Sequence, residues 1–373
     1  MSFINRPILR AAGVFLLIAF LALVPAFLTA CRSKKTDPRL ASPELTLHEI
    51  LNEGTPLFLS PEFFPFVPSA NKALIPTREE ALSASKDKTL FWKLNREHHF
   101  SMVFLGPSPL WNSLEDSLLS SPLWILSEVS PWGYLFKHAT TDAPAWKIPS
   151  EETLKNQWPD PSDRARFLIL TAANLQALNR IPEAGELLEM AAATHRLPSL
   201  VLSSQASLSA SRGRWEESAA LARKSLQADH HNLPARKILT RALIETGETD
   251  AALDAARQMA AENTQDEEAL FLLARAANAS NSGQEEIDSL SRLASLERTN
   301  HEPAGVILTY LGQAYAKNGE RGAALRTFQE ALLCPELSDK EQSSIREIMD
   351  HLMEGNASST TLPPLKVPQT NNR

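Results

Sequence analysis

The sequence predicts an α+β protein: a small N-terminal α/β domain followed by an all-α superhelix of about five helix pairs and a capping helix. One observation is a residue tolerant of positive φ that recurs at intervals of 34, 34, 34 and 38 residues. Another is composition, because 15 of the 25 prolines and six of the seven tryptophans lie between residues 38 and 161. The two halves therefore differ in architecture, and we expect domains over 46–158 and 162–355.

The first 30 residues have the character of an export segment. Two arginines precede an apolar run over 11–30, which ends in Leu28-Thr29-Ala30-Cys31. This tetrapeptide resembles the bacterial lipobox, and the resemblance implies diacylation of Cys31 after cleavage. The run is also long enough to stay as an uncleaved membrane anchor, or to be cut as an ordinary signal. Each alternative places the rest of the chain in the cell envelope, on the exported face of a membrane.

Charge and cysteine content restrict the classes of partner and of covalent stabilisation. The formal net charge is −7, and no concentrated basic face points to a nucleic-acid partner. If Cys31 carries a lipid, Cys334 is the only other cysteine, and no intramolecular disulfide can form. With 373 residues, the chain can bury its cores without one.

The region before residue 158 predicts a tether and then a small mixed domain. Residues 31–45 are polar and interrupted by proline, so we expect a flexible tether. The domain over 46–158 then alternates helical spacing with short apolar runs. We expect helices over 46–54 and 110–120, a helix opened by a capping box at Thr77, and strands over 57–59, 100–105, 124–129 and 134–137.

Three stretches of this domain resemble the soluble domain that follows the membrane spans in some bacterial glycosyltransferase-like proteins. They are Phe58-Leu59-Ser60-Pro61-Glu62-Phe63, Phe104-Leu105-Gly106, and Leu118-Leu119-Ser120-Ser121-Pro122-Leu123-Trp124 with Tyr134-Leu135-Phe136-Lys137. The resemblance implies no activity, because the catalytic acids of such transferases lie in a membrane part that this chain lacks. It leaves an alternative function open: an accessory protein of polysaccharide or protein glycosylation, with a sugar-binding or catalytic role in 46–158.

The second half contains a helix–turn–helix repeat. A residue that adopts positive φ cheaply closes a helix, and its fixed-period recurrence between apolar stretches is typical of helical repeats. Five positions later, four repeats have a small residue and the fourth has Glu286, so we expect that repeat to be the least regular. The turn residues are Asn179, Gly213, Gly247, Asn281 and Gly319, and the later positions are Ala184, Ser218, Ala252, Glu286 and Ala324.

The last repeat carries a fuller pattern. It consists of Leu308, Leu311, Gly312, Tyr315, Gly319, Ala324, Phe328, Ala331 and Pro335. This pattern resembles the tetratricopeptide repeat (TPR), and the common period extends the resemblance over residues 165–338. The resemblance implies that Gly312 and Ala324 lie where the two helices cross, since only small side chains allow close approach there. A capping box at Ser338 predicts one more helix, and residues 356–373 predict a disordered tail.

No pattern in the sequence points to catalysis, a metal or a cofactor. The chain lacks the common hydrolase, nucleotide-binding and zinc motifs, so we expect no enzyme activity. Adjacent histidines at 98–99 and 230–231 have no carboxylate or cysteine at ligand spacing. The tryptophans of the first domain either stack on sugars or fill a small core, and the second reading is favoured.

The TPR resemblance implies a groove lined by the first helix of each pair. The groove positions supply three cations, Lys237, Arg241 and Arg275, which could hold an acidic segment or a carboxylate of a partner. Alternatively, these cations are paired with Glu245 or Glu268. The predicted function is a scaffold or assembly factor that binds a protein or peptide. The full set of candidate groove residues is Lys237, Arg241, Phe271, Arg275, Asn278 and Gln313.

Overall fold

The computed structural model describes residues 37–108, 111–300, 304–334 and 337–354. These residues form two compact units. The sheet unit contains the described residues up to Ser211 together with 227–229. The stack unit contains 212–226 and the described residues from His230 onward.

A four-stranded sheet forms the centre of the sheet unit, with strand order β1-β2-β4-β3. Strands β1 and β2 are parallel, and the other two neighbouring pairs are antiparallel, with an irregularity in β3 between Leu126 and Glu128. The strands are β1 (Leu57–Leu59), β2 (Met102–Leu105), β3 (Trp124–Ser130) and β4 (Gly133–His138). All four predicted strands are confirmed, because short apolar runs ended by Gly, Pro or Ser fix both the strand and its end.

Helices cover both faces of this sheet, so successive side chains along each strand enter two different cores. Phe58, Val103 and Tyr134 belong to one core, and Leu57, Met102 and Leu135 belong to the other. The helices before the repeats are α1 (Pro38–Ala41), α2 (Glu44–Leu51), α3 (Arg78–Lys86), α4 (Lys88–His98), α5 (Asn112–Leu119) and α6 (Glu151–Gln157). Short 3₁₀ helices lie at Pro61–Phe66, Ser69–Leu74 and Ala139–Thr141.

The predicted flexible tether is wrong for residues 37–45. Residues 37–42, here called the N-terminal strap, pack on the sheet unit instead. The Asp37 amide donates to Asp163 Oδ2 at 3.3 Å, and Leu40 is buried. The Arg39 guanidinium lies 4.0 Å from the centre of the Trp158 ring, and the Arg39 carbonyl accepts from Trp132 Nε1 at 2.9 Å. The strap is ordered by aromatic partners that are far away in sequence.

Ten helices and a capping helix follow in the described part of the chain, two helices to each predicted repeat. They are α7 (Pro161–Ala177) and α8 (Ile181–Ala193), α9 (Pro198–Ser211) and α10 (Trp215–Ala228), α11 (Leu233–Thr246) and α12 (Thr249–Glu262), α13 (Glu267–Ala279) and α14 (Gly283–Asn300), and α15 (Gly305–Lys317) and α16 (Arg321–Ala331). The cap is α17 (Asp339–Met353), which begins at the predicted capping box of Ser338 and Glu341.

The turn conformations confirm the repeat register. All five predicted turn residues have positive φ: 57° at Asn179, 71° at Gly213, 81° at Gly247, 57° at Asn281 and 82° at Gly319. The five later positions are buried as well: Ala184, Ser218, Ala252, Glu286 and Ala324. The fourth pair, expected to be the least regular, has the longest second helix, at 18 residues.

The closest helix approach in the last pair involves Gly312, as predicted. A Cβ placed on Gly312 would lie 2.7 Å from two ring carbons of Phe328, a fully buried residue. Glycine is therefore required for α15 and α16 to pack at this separation. In the fourth repeat, Glu286 takes the place of the small residue found in the other four. The protein tolerates this buried carboxylate because it accepts a hydrogen bond from Asn278 Nδ2 at 2.5 Å.

The compact units do not follow the predicted boundary between 158 and 162. The first helix pair shares one core with the sheet, which includes Val103, Leu168 and Leu187. Trp158 stacks on Phe167 at 5.0 Å between ring centres, and Asn174 Nδ2 donates to the Ser130 carbonyl at 2.6 Å. The first repeat is therefore part of the sheet unit.

The export segment 1–30, Cys31, the tether residues 31–36, Pro335 and the tail 356–373 lie outside the described residues. Within the described ranges, no helix has both the length and the apolar character needed to cross a bilayer.

Candidate functional site

The candidate site is the face formed by the first helices α11, α13 and α15 of the stack unit. On α11, Lys237, Arg241 and Glu245 are spaced four residues apart, so they share one side of the helix. Cross-helix contacts then connect this side to α13 and α15. We call this surface the first-helix face.

At one end of the first-helix face, Lys237 forms an ion-pair triad with α13. Its Nζ lies 2.9 Å from both Asp266 Oδ2 and Glu268 Oε2, and all three side chains are nearly buried. Asp266 also accepts from the Ala269 amide at 3.0 Å, which caps α13. Burial opposes the charge on Lys237, but Glu268 and Asp266 outweigh it and raise the pKa of Lys237. Lys237 is therefore a structural residue, already bound to two carboxylates.

At the other end, Glu245 pairs with Arg275 across α11 and α13 at 2.7 Å. Each side chain keeps about a quarter of its surface exposed, 25% and 26%. Burial raises the pKa of the Tyr310 phenol on α15, and the charge of Arg275 opposes that rise. The guanidinium of Arg275 is thus engaged, yet it still borders the open face.

Between these two ion pairs, Arg241 differs from both other cations. Only 8% of its surface is exposed, and its guanidinium makes no hydrogen bond or ion pair with the other described residues. Burial is the main cause that lowers the pKa of Arg241, and the neighbouring Arg275 adds to it. The negative charges of Glu268 and Glu245 oppose that shift.

An aromatic pair continues the face beyond Arg275. Phe271 and Tyr310 meet edge to face with ring centres 6.0 Å apart, and both are half-buried. Lys317 Nζ lies 3.3 Å from the Asn278 carbonyl and 3.9 Å from Glu286 Oε2. The face therefore changes from charged to aromatic to polar along three consecutive first helices.

Two of the three predicted groove cations are paired within the protein, as in the alternative prediction: Lys237 with Glu268, and Arg275 with Glu245. Of the three cations, Arg241 alone has no acceptor in the described part of the chain. The predicted residues Phe271, Asn278 and Gln313 are at least partly accessible on the same first helices.

Sequence reasoning missed Asp266 and Tyr310 as parts of this face. Asp266 comes directly before two glutamates, and an aspartate in that position is typical of a helix N-cap. This pattern could have placed its carboxylate beside the first turn of α13. Tyr310 comes one residue after Thr309, which is a groove-lining position of its helix, so the assignment of groove positions from the sequence leaves Tyr310 out. Its contact with Phe271 depends on how the helix is rotated about its axis, and the sequence positions alone do not determine that rotation.

The sheet unit contains a second group of polar side chains, near the carboxyl ends of β1 and β2. Trp111, Tyr134 and Glu115 are almost fully buried, and Trp111 Nε1, Tyr134 Oη and Glu115 Oε1 have no hydrogen-bond partner among the described residues. Burial, with a smaller effect of Asp116, raises the pKa of Glu115 well above its usual range. These atoms are enclosed in the core, so they offer no surface to a large ligand.

The tryptophans of the sheet unit fit the core reading better than the sugar-stacking one. Trp111, Trp124 and Trp158 are buried, with exposures of 0%, 5% and 6%. Trp146 is covered by Arg180, whose guanidinium lies 5.0 Å from the ring centre. Across the described ranges, no three His, Cys, Asp or Glu side chains are grouped so that they could hold a metal ion.

Comparisons with known proteins concern the fold. No protein family matches the sequence, and no curated protein matches it. Among solved structures, MamA 41-end from Desulfovibrio magneticus RS-1 is 16% identical with a TM-score of 0.42, covering 46% of this chain and 96% of that one.

Two further solved structures are described as TPR proteins. TTC0263 from Thermus thermophilus is 15% identical with a TM-score of 0.39, covering 51% of this chain and 99% of that one. YrrB, described as a TPR protein with an unusual peptide-binding site, is 14% identical with a TM-score of 0.42, covering 56% and 97%. At these values the likeness carries nothing about function, and the repeat architecture rests on the helix bounds and turn conformations given above.

Proposed function

We propose that this protein is a membrane-tethered, envelope-facing TPR protein that binds a protein or peptide partner and acts as a scaffold or assembly factor. The observation that carries the proposal is the connected face across α11, α13 and α15. Contacts between successive first helices, Glu245 with Arg275 and Phe271 with Tyr310, make one surface that keeps charged, aromatic and polar groups partly open. Such a surface suits an extended segment of another protein.

The character of the face favours binding over chemistry. Its carboxylates are mostly neutralised by cations, as Asp266 and Glu268 are by Lys237. A general acid or base needs a titratable group that is free to exchange protons near the operating pH. Donors and half-buried aromatic rings are instead the groups that anchor protein partners.

Membrane tethering is supported by the sequence alone. The apolar run over 11–30 and the tetrapeptide that ends at Cys31 suit either a lipid or an uncleaved helix. In both cases the stack unit works near a membrane surface, where its partner is to be sought.

The test is capture from detergent-solubilised membranes of the native host, with the full chain as bait. The double variant Phe271→Ser with Tyr310→Ser should lose the captured partner. The matched control, Arg257→Ser with Arg326→Ser, changes two residues of second helices and should retain it. A partner that binds both double variants as well as the wild type would show that the first-helix face is not the binding surface.

A further inference from the structure

A stretch of the sheet unit with almost no charge follows strand β1. Residues 63–77 contain one charged side chain, Lys72, although charged residues make up 22% of the chain. The stretch covers most of the 3₁₀ helices Pro61–Phe66 and Ser69–Leu74 and the turns that flank them. We call residues 63–77 the apolar segment. A segment of this composition needs either burial or an apolar surface to contact.

One side of the apolar segment is buried and the other is open. Phe63, Val67 and Ile75 belong to the core that the sheet shares with helix α2. Phe66, in contrast, keeps 37% of its surface exposed. Exposed proline and alanine side chains continue this open side: Pro65, Pro68, Ala70 and Ala73. Exposed apolar groups that follow one another in this way are typical of a contact surface.

The apolar segment lies at the same edge of the sheet as the N-terminal strap. β3 runs parallel to β1, because β1 and β2 are parallel and the next two pairings are antiparallel. The apolar segment follows the carboxyl end of β1, and Trp132 follows the carboxyl end of β3. Trp132 donates to the Arg39 carbonyl of the strap at 2.9 Å, and it packs against the core that contains Phe63. The strap, which leads back to Cys31, is therefore held at the edge where the apolar segment lies.

Charge limits the way in which this edge can contact a membrane. Helix α2 adjoins the apolar segment, because Asn71 Nδ2 donates to the Leu51 carbonyl at 3.4 Å. Exposed Glu44 and Glu49 lie on this helix, whereas Lys72 is the only charge of the apolar segment. The two acids offset the lysine, so attraction to anionic headgroups is small. Burial of aromatic and apolar side chains at the boundary of headgroups and acyl chains is the contribution that remains.

We propose that the apolar segment is a second membrane contact, in which Phe66 and its apolar neighbours enter the interface of the bilayer that holds the N-terminal anchor. The inference rests on the membrane tethering proposed above and names the surface of the folded protein that faces the bilayer. A bilayer is favoured over a protein partner because the strap leads to the anchor from the same edge of the sheet. The second contact orients the sheet unit, which a single N-terminal attachment leaves free to rotate.

The test reconstitutes the full chain into phosphatidylcholine vesicles, with an environment-sensitive fluorescent amino acid in place of Phe66, Ala73 or Leu123. The first two positions lie on the open side of the apolar segment, and Ala73 gives a reading that keeps Phe66 in place. Leu123 is the matched control, because it is 54% exposed and precedes β3, at the opposite edge of the sheet. Vesicles with brominated acyl chains are compared with unbrominated ones, since bromine quenches only fluorophores that lie at the level of the bilayer.

We expect brominated lipid to quench the probes at positions 66 and 73 several-fold more than the probe at position 123. Anionic phosphatidylglycerol should leave this ratio unchanged, because apolar burial makes the contact. Quenching that appears only with the anionic lipid would identify an electrostatic contact and overturn the apolar one.

Two further outcomes separate this inference from the proposed function. Equal quenching at all three positions, in chains that co-float with the vesicles, would overturn the second contact alone and would leave the apolar segment to a protein partner. Chains that do not co-float with the vesicles would overturn the membrane tethering as well.

Discussion

At the residue scale, burial decides how much an ion pair contributes to stability. The comparison is between the triad of Lys237 with Asp266 and Glu268 and the pair of Lys155 with Glu151. The carboxylates that face Lys237 are almost buried, whereas Lys155 and Glu151 keep 57% and 73% of their side chains exposed. Removing one partner of a buried pair leaves an uncompensated charge in the interior. An exposed pair is replaced by water at almost no cost.

Lys237→Ala should therefore destabilise the stack unit by about 3–5 kcal/mol, the usual cost of breaking a buried pair. The urea midpoint of unfolding, monitored by far-UV circular dichroism, measures this loss. Lys155→Ala is the control and should leave the midpoint unchanged. Equal midpoints for the two variants would mean that the triad contributes no stability.

A second residue-scale prediction concerns Glu115, whose pKa is raised by burial and by Asp116. Because the folded-state pKa exceeds the unfolded value of about 4.3, folding favours the neutral carboxyl. Neutral Glu115 makes its full contribution to stability at pH values below the pKa of the unfolded state. That contribution is lost as the pH rises through the pKa of the folded state. Glu115→Gln stays neutral, so its advantage over wild type should grow between pH 5 and pH 8.

The advantage should be smallest at pH 5 and largest at pH 8, because the folded protein keeps Glu115 neutral while the unfolded chain ionises it. Urea midpoints at several pH values, for wild type and Glu115→Gln, give the difference directly. Exposed Glu151→Gln is the control, and its difference from wild type should stay constant over the same range. A Glu115→Gln difference that is also independent of pH would mean that this carboxyl is ionised in the folded protein at every pH tested.

At the scale of the helix pair, the separation of α15 and α16 is set by Gly312. A Cβ there would lie 2.7 Å from the Phe328 ring, while a Cβ on Gly322 of the same pair meets only Arg326 Nη1 at 3.6 Å. Alanine gains about 1 kcal/mol over glycine in a helix interior, where Gly312 lies, and less in the first turn, where Gly322 lies. The substitutions differ chiefly in packing, because only the Cβ at Gly312 meets a buried ring.

Gly312→Ala should lower stability, because overpacking costs about 1–3 kcal/mol and outweighs the propensity gain. Gly322→Ala should be neutral or stabilising, by up to about 1 kcal/mol. Thermal melts of the two variants compare them under one condition. A higher melting temperature for Gly312→Ala than for Gly322→Ala would show that the helices can move apart freely.

Features set by local backbone geometry could be predicted from the sequence. The turn residues, such as Asn179 and Gly319, must have positive φ wherever the helix pair packs, so periodicity alone located them. Strand β1 could be predicted because a three-residue apolar run ends at Ser60-Pro61. In the candidate site, helical spacing placed Arg241 and Phe271 on first helices, but it did not identify their neighbours.

Features set by distant partners could not be predicted in the same way. Lys237 meets a carboxylate 29 residues away, and only the rotation of α13 determines that contact. The strap residue Arg39 accepts a hydrogen bond from Trp132, 93 residues later in the chain. The sequence around Arg39 is polar and does not show this distant partner, so it indicated a flexible tether. The boundary near 158 failed for a related reason, since a change in composition does not show that Leu168 completes the core of the sheet.

At the scale of the whole molecule, attachment at Cys31 stays a prediction. Cys31→Ala should block lipid transfer and processing, and should leave a precursor that keeps residues 1–30. Intact-protein mass spectrometry of wild type and variant measures both changes. Identical masses, with residues 1–30 present in each, would support the uncleaved anchor, and a cleaved variant would support an ordinary signal.

The position of the N-terminal strap limits how far the sheet unit could lie from a lipid on Cys31. The contacts of the strap begin at Asp37, so five residues, 32–36, separate it from Cys31. A chain of that length spans at most about 20 Å. On the proposed lipid attachment, the sheet unit would therefore stay close to the lipid headgroups, and a partner would have to come to the membrane surface.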